Sequence, residues 1–302
     1  MLMPPLSDNL RGALLMMGSM AAFTFNDAAM KALSDELSLF QAVFMRGLFT
    51  TAALATFAAV TGQLSLALSR RDWGLVALRS AAEVAAAWLF ISALFNMPIA
   101  NATAILQALP LTVTLAGALF LGEAVGWRRL TAIVIGFGGV MLIVRPGAAD
   151  FNLYSIHAVA AVLTVTVRDL AARRLSASVP SMTVALVAAL AVTLASGAAS
   201  VGQPWASLSP AGWAQLVAAS LFVIGGYVFS VMTMRVGDIG AVAPFRYTSL
   251  LWALLLGLVL FGEWPDRLTL AGAGIVVATG VFTLLRERRL NRRAAARTAR
   301  AG

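Results

Sequence analysis

The sequence predicts an all-α membrane protein, and three features of the chain lead to this prediction. Of its 302 residues, 60% are hydrophobic and only 12% are charged. A soluble domain is about half apolar and about a quarter charged, so a soluble chain of this composition would expose too much apolar surface to water. The apolar residues form ten long runs, and the chain repeats its own motifs at about half its length.

The ten runs are each long enough to form a transmembrane helix, which needs about 20 apolar residues. They are too long and too continuous for the alternating strands of a membrane β-barrel. The linkers are short, and only the residues after Arg286 are expected to be disordered. The predicted helices cover residues 11–32, 39–61, 73–95, 99–121, 128–145, 152–172, 180–200, 211–233, 239–261 and 268–286.

The distribution of Lys and Arg predicts the orientation, because cytoplasmic loops carry an excess of both residues. With the N-terminus in the cytoplasm, the inner loops hold eight arginines and residues 286–302 hold seven, whereas the outer loops hold only Lys31, Arg145 and Arg267. We therefore expect both termini in the cytoplasm and the inner membrane of a bacterium as the location. The net charge of +9 suits the anionic face of a lipid bilayer, so no nucleic-acid partner is expected.

Two motifs in the first part of the chain recur about 140 residues later. One places a basic residue four positions after an aspartate, and the other is a Gly-Glu pair at the end of an apolar run. The matching stretches are 27–34 (DAAMKALS) with 169–176 (DLAARRLS), and 120–123 (FLGE) with 260–263 (LFGE).

The repeat divides the chain into a first five-helix repeat (1–147), a second five-helix repeat (148–286) and a basic cytoplasmic tail (287–302). Five is an odd number, so the second repeat enters the membrane from the opposite side. Such inverted-topology repeats are frequent in secondary transporters.

These features together resemble a known family. Two five-helix halves, each ending in a Gly-Glu pair, a basic residue and a Gly-rich last helix, resemble the drug/metabolite transporter superfamily over residues 10–286. Within it, the chain resembles the EamA-type ten-helix transporters, including the branch that exports aromatic amino acids. The resemblance implies export of small organic solutes through a central cavity, and it leaves the substrate open.

Ionisable residues inside the predicted helices are candidates for function, because a charge in a bilayer costs at least a few kcal/mol. Arg79 and Glu83 lie four apart on one helix face. They form either a structural ion pair or a site where Glu83 lines the pathway and couples to a proton. Arg46, in the second helix, has Asp27 or helix-end carbonyls as its expected partner.

The recurring charges have a separate interpretation. Asp27 and Lys31 recur as Asp169 and Arg173, which favours a role shared by both halves. That role is either a scaffold or a gate at each end of the pathway.

Arg246 and Tyr247 follow Pro244 in the ninth predicted helix. Proline breaks a helix locally, and broken helices near the bilayer midplane often bind substrate. Arg246 is expected to hold a carboxylate through a bidentate fork. The equivalent stretch of the first half carries Asn101 and Gln107, which either face the cavity or support packing.

Four further residues are candidates for the binding site, three of them as a wall for a planar substrate. Trp88, Tyr227 and Trp252 form a possible aromatic wall, although most membrane aromatics face lipid. His157 is either a hydrogen-bonded structural residue or a group that binds substrate or carries a proton.

The chain shows no catalytic motif and no ATP-binding loop. It has no cysteine and one histidine, which excludes thiolate and multi-histidine metal sites. We therefore expect no cofactor and no enzymatic activity. The favoured function is secondary export of small amphipathic metabolites, above all aromatic or large apolar amino acids. Export of another metabolite or drug, a passive channel and a membrane-embedded enzyme remain as alternatives, and either a monomer or a homodimer is possible.

Overall fold

The structure is a computed structural model that describes residues 8–62, 64–123, 125–148, 151–205, 207–236 and 239–301. All elements within these ranges are helical. Short 3₁₀ helices cover Leu33–Asp35 and Ala243–Tyr247. The α-helices are α1 (Asp8–Ala32), α2 (Leu39–Thr61), α3 (Arg70–Asn96), α4 (Ile99–Leu106), α5 (Leu109–Leu121), α6 (Trp127–Val144), α7 (Tyr154–Arg173), α8 (Ser181–Ala199), α9 (Pro210–Val236), α10 (Ile239–Val242), α11 (Thr248–Phe261) and α12 (Arg267–Ala301).

Nine helical segments of the described chain are long and apolar enough to cross a membrane. Two of them are composite: Ile99–Leu121 joins α4 to α5, and Ala243–Phe261 joins the second 3₁₀ helix to α11. Helix α1 is not among the nine. Its C-terminal half carries Asn26, Asp27 and Lys31, which lower its mean hydropathy. The chain is therefore a multi-pass membrane protein, and the tenth crossing remains a prediction.

The two composite spans are broken near a proline. Gln107 and Ala108 separate α4 from α5, and Pro110 occupies the first turn of α5. In the second half, Pro244 lies in the 3₁₀ helix that precedes α11. The predicted local break at Pro244 is thus confirmed, and the segment predicted as one helix over 239–261 is α10, a 3₁₀ helix and α11.

The helix pairs are related by exchange of the two halves, α1–α6 and α7–α12. Helix α1 packs along α9, and its counterpart α7 packs along α3, the counterpart of α9. The pairs α2–α8 and α6–α12 map onto themselves under the same exchange. The sequence repeat therefore corresponds to a repeat in packing.

The contact between α6 and α12 depends on glycine. A Cβ on Gly139 would lie 2.8 Å from the carbonyl oxygen of Gly272, and a Cβ on Gly272 would lie 2.5 Å from that of Gly139. The two backbones touch, as is common where small residues line a membrane helix interface.

The repeated Gly-Glu motif has a local structural cause. Gly122 ends α5 with φ 70°, and Gly262 ends α11 with φ 65°. These left-handed conformations favour glycine. They allow the following glutamate N–H to bond back to the helix, from Glu123 to Gly117 O at 3.2 Å and from Glu263 to Gly257 O at 2.8 Å.

The tail differs from the expectation of disorder, because α12 continues to Ala301. The residues beyond Arg286 are largely alanine and arginine, which are among the best helix formers. A segment rich in arginine and alanine is thus compatible with a continuous helix as well as with the predicted disorder.

Candidate functional site

The first element of the site is an ion-pair network between α3 and α7. Arg168 Nη1 lies 3.2 Å from Glu83 Oε1, and Arg168 Nη2 lies 2.9 Å from Asp169 Oδ1. Arg79 Nη2 approaches Glu83 Oε2 at 3.7 Å. The predicted Arg79–Glu83 contact is present, but Arg168 is the closer partner of Glu83. Two carboxylates here are held by two guanidinium groups.

The second element lies between α1 and α2 and has a different arrangement. Arg46 Nη1 donates to Asn26 Oδ1 at 3.1 Å, and Asn26 Nδ2 donates to Asp27 Oδ1 at 2.9 Å. Asn26 is 4% exposed. The structure thus brings Arg46 and Asp27 into one cluster, with the amide of Asn26 as the link between them.

Tyr227 joins the two elements. Its ring is 52% exposed and packs edge-on against Phe23, with ring centroids 5.3 Å apart. Charges from three other helices, on Glu83, Arg168 and Arg46, lie within electrostatic range of its hydroxyl. Tyr227 therefore combines an exposed surface with charged groups of both signs near its hydroxyl.

Arg246 and Tyr247 lie in the 3₁₀ helix that packs against α1. The side chain of Arg246 forms no ion pair with any residue that the structure describes, although Asp169 lies within electrostatic range. Tyr247 is 5% exposed, and its hydroxyl has no hydrogen-bond partner among the described residues. It sits against Gly280, where an added Cβ would overlap it. The Arg246 guanidinium is therefore not neutralised by a described carboxylate, and the Tyr247 hydroxyl is enclosed without a partner.

An ion pair between the halves lies one turn beyond Asp27. Lys31 Nζ lies 2.8 Å from Glu263 Oε1, and the side chains are 10% and 23% exposed. Lys31 also donates to the carbonyl of Met97 at 2.6 Å, and Glu263 Oε2 accepts from the N–H of Ile99 at 3.1 Å. The pair therefore fastens α1 and the α11–α12 loop to the start of α4.

The repeat supplies a reciprocal pair. Arg173 Nη1 lies 2.9 Å from Glu123 Oε1, with side chains 45% and 42% exposed. Arg173 occupies the position of Lys31, and Glu123 occupies that of Glu263. The two pairs use the same helix ends but differ in exposure, so the Lys31–Glu263 end is the more tightly packed.

Two further contacts join the halves beside these pairs. Glu36 accepts from the hydroxyl of Ser209 at 2.6 Å and from its N–H at 2.8 Å. These hydrogen bonds, the side-chain one foremost, lower the pKa of Glu36 against a small opposing effect of burial. In the other half, Asp72 accepts from the N–H and hydroxyl of Ser176 at 3.1 and 3.0 Å. Each contact fixes a loop to the N-terminal end of a helix.

The predicted aromatic wall is split into separate contacts. Trp88 Nε1 donates to Ser196 Oγ at 2.9 Å and packs edge-on to Phe40. Trp252 lies beside Phe25, with ring centroids 6.2 Å apart. Tyr227 packs with Phe23 instead, so these rings do not form one continuous surface.

The remaining predicted polar residues lie at helix contacts. His157 Nδ1 lies 2.8 Å from Ser92 Oγ, and Gln107 Nε2 donates to Ser249 Oγ at 2.8 Å. Asn101 Oδ1 is buried without a hydrogen-bond partner among the described residues. Gln107 therefore links the two broken spans, whereas Asn101 retains a free acceptor.

An apolar groove of about 340 Å³ lies between α4, α11 and α12. Its lining contains no charged side chain and includes Ala100, Ala104, Leu250 and Ala273. Such a lining offers no counter-charge to a charged head group.

Sequence reasoning missed three kinds of residue: Asn26, the pairing role of Arg168, and the partners Glu123 and Glu263. The repeat contained a signal for the last two, because the Gly-Glu pair and the basic residue recur with the same separation. Nothing in one sequence indicates which basic residue meets which glutamate.

Known proteins similar to this chain are transporters. The S-adenosylmethionine uptake transporter of Rickettsia conorii is 26% identical over 281 residues, covering 91% of this chain and 93% of that protein. The pseudopaline exporter CntI of Pseudomonas aeruginosa is 26% identical over 293 residues and covers 91% and 96%. The riboflavin transporter of Vibrio cholerae is 28% identical over 229 residues, covering 76% of each.

Fold comparison and family assignment agree with this similarity. A solved crystal structure superposes with a TM-score of 0.62 over 92% of this chain and 98% of that one, at 20% identity, which supports the fold alone. The EamA-like transporter family matches residues 10–145 and 152–285. The predicted resemblance is confirmed: this chain belongs to the EamA-like transporter family.

Proposed function

We propose that this protein is a secondary transporter that exports small amphipathic metabolites by alternating access through a central cavity. The substrates that best fit the site are amino acids with aromatic or large apolar side chains. The relatives carry small organic molecules, and the location that fits these bacterial relatives is the bacterial inner membrane.

One observation carries the proposal. Charged groups of both signs meet around Tyr227, an exposed residue that the proposal places at the edge of the central cavity. Arg246 adjoins this region with no ion-pair partner among the described residues. A guanidinium that is desolvated and unpaired favours a carboxylate ligand, and the neighbouring aromatic rings suit an apolar body.

The proposed cycle uses the two ion pairs between the halves as gates. Lys31–Glu263 and Glu123–Arg173 sit at equivalent helix ends, and an inverted repeat places such ends on opposite sides of the membrane. Opening one pair while the other is closed would expose the central site to one side at a time.

The proposed topology has ten crossings, inverted halves and cytoplasmic termini. A fluorescent reporter fused after Arg286 should fold and glow, and a phosphatase fused after Gln203 should be active. An active phosphatase at the C-terminus would require an odd number of crossings and would overturn the inverted arrangement.

Substrate and direction are tested in cells. Overproduction should protect bacteria against toxic aromatic amino-acid analogues, because export lowers their cytoplasmic concentration, and an Arg246→Ala variant made at the same level should not protect. Greater sensitivity would indicate uptake instead of export. Uptake is a specific alternative because the rickettsial relative is named an uptake transporter. Unchanged sensitivity, together with movement of a different metabolite, would overturn the amino-acid assignment.

A further inference from the structure

The three carboxylates of the central region differ in what neutralises them. Glu83 and Asp169 are both bound to Arg168, at 3.2 and 2.9 Å. Asp27 forms no ion pair with any described residue, and its hydrogen-bond partner is the neutral amide of Asn26. Asp27 is partly exposed. Arg46 lies within electrostatic range of Asp27 but is hydrogen-bonded to Asn26 instead. A carboxylate in a predicted transmembrane helix that lacks an ion-pair partner is costly and is a candidate functional group.

The two halves differ at the residue before this aspartate, which explains why Asp27 has no ion-pair partner among the described residues. Residues 26 and 27 occupy the positions of residues 168 and 169 in the second half. Where the second half has Arg168, which neutralises its own neighbour, the first half has Asn26. The same amide accepts from Arg46 at 3.1 Å and donates to Asp27 at 2.9 Å. Asn26 therefore separates a guanidinium and a carboxylate that would otherwise pair.

We infer that Asp27 binds the positively charged amine of the substrate, and that Asn26 is the positioning residue that holds Asp27 open for it. The inference deepens the proposed function and rests on it. It defines the substrate class as molecules that carry a protonated amine on an aromatic or large apolar body.

The surroundings of Asp27 suit such a ligand. Phe23 lies four residues before Asp27, on the same face of α1, and its ring packs against the open ring of Tyr227. Gly226 leaves the space that Phe23 fills, because a Cβ there would lie 2.8 Å from the ring. An ammonium at Asp27 therefore places the apolar body beside two aromatic rings.

The test compares a substrate with its deaminated analogue. Binding of L-tryptophan and of indole-3-propionate is measured by calorimetry on the purified full chain. The wild type should bind tryptophan more tightly than indole-3-propionate. Asp27→Asn should weaken tryptophan binding by about tenfold or more and should leave the binding of indole-3-propionate unchanged. Asn26→Arg, which copies the second half, should remove the same preference with Asp27 still present.

Asp266→Asn is the matched control, because Asp266 lies outside the predicted transmembrane helices and is held by Arg145 and Thr269. It should lower thermal stability and leave the preference for the amine intact. If Asn26→Arg does not fold, the isosteric Asp27→Asn decides the question. An Asp27→Asn variant that still prefers tryptophan overturns this inference and leaves the proposed function standing. A wild type that binds no amino acid overturns both.

Discussion

The ammonium of Lys31 lies 2.8 Å from the carboxylate of Glu263, and these residues come from opposite halves of the chain. The equivalent positions, Arg173 and Glu123, form the reciprocal pair at 2.9 Å. One pair is largely buried and the other is close to half exposed. Two chemically similar contacts thus differ in solvation, which is the asymmetry that the proposed alternating-access cycle requires when one end is closed.

The difference in solvation predicts different costs of mutation. Glu263→Gln leaves Lys31 partly buried without its counter-charge, so it should lower the free energy of unfolding by about 2 kcal/mol. Glu123→Gln removes a solvent-exposed partner and should cost less than about 1 kcal/mol. Thermal unfolding of both variants in the same detergent measures this. Equal losses would mean that the two ends are equally solvated.

Arg246 provides a test of the carboxylate site. Arg246→Ala should abolish transport without loss of folded protein, and Arg246→Lys should also be impaired, because an ammonium cannot reproduce the guanidinium fork. Arg235→Ala, at the exposed end of α9, is the control and should transport normally. Normal transport by the alanine variant at normal expression would remove Arg246 from the site.

The α6–α12 contact predicts a contrast between adjacent glycines. Gly139→Ala should destabilise the fold by about 1–3 kcal/mol, because its Cβ would press on the backbone of α12. At Gly138 a Cβ meets nothing within 4 Å, so Gly138→Ala should be close to neutral. Thermal unfolding of the purified variants distinguishes them, and equal stability would show that the helices do not touch at Gly139.

Asp266 predicts a pH dependence of stability outside the membrane-spanning segments. Burial favours the neutral acid, but hydrogen bonds from Thr269, Arg145 and Leu268 outweigh it and lower the pKa of Asp266 to about 2. A carboxyl with a depressed folded-state pKa stabilises the fold at high pH, and this contribution is lost as the pH falls through that value.

The wild type should therefore lose part of its stability between about pH 4 and pH 2. Asp266→Asn should be less stable at neutral pH and should show a shallower decline over that interval. Unfolding followed by circular dichroism across the range measures both slopes. Parallel declines would indicate that Asp266 is not bonded in the folded protein.

The sequence predicted most of the helices because long apolar runs have few alternative structures in a bilayer. It also indicated the repeat and the break at Pro244. It did not predict the bridge from Arg46 through Asn26 to Asp27, because a long side chain on α2 has several polar groups within reach and hydropathy does not choose among them. The continuation of α12 was missed because charge and helix propensity favour opposite expectations for the same Arg- and Ala-rich segment.

The most direct test of the account is transport by the purified protein in liposomes. Radiolabelled L-tryptophan, L-phenylalanine and other amino acids are supplied as a panel, with and without an imposed pH gradient. The account predicts saturable flux of the aromatic and large apolar amino acids that excess unlabelled substrate suppresses and that Arg246→Ala abolishes. Flux of riboflavin or another metabolite, with none for any amino acid, would contradict it.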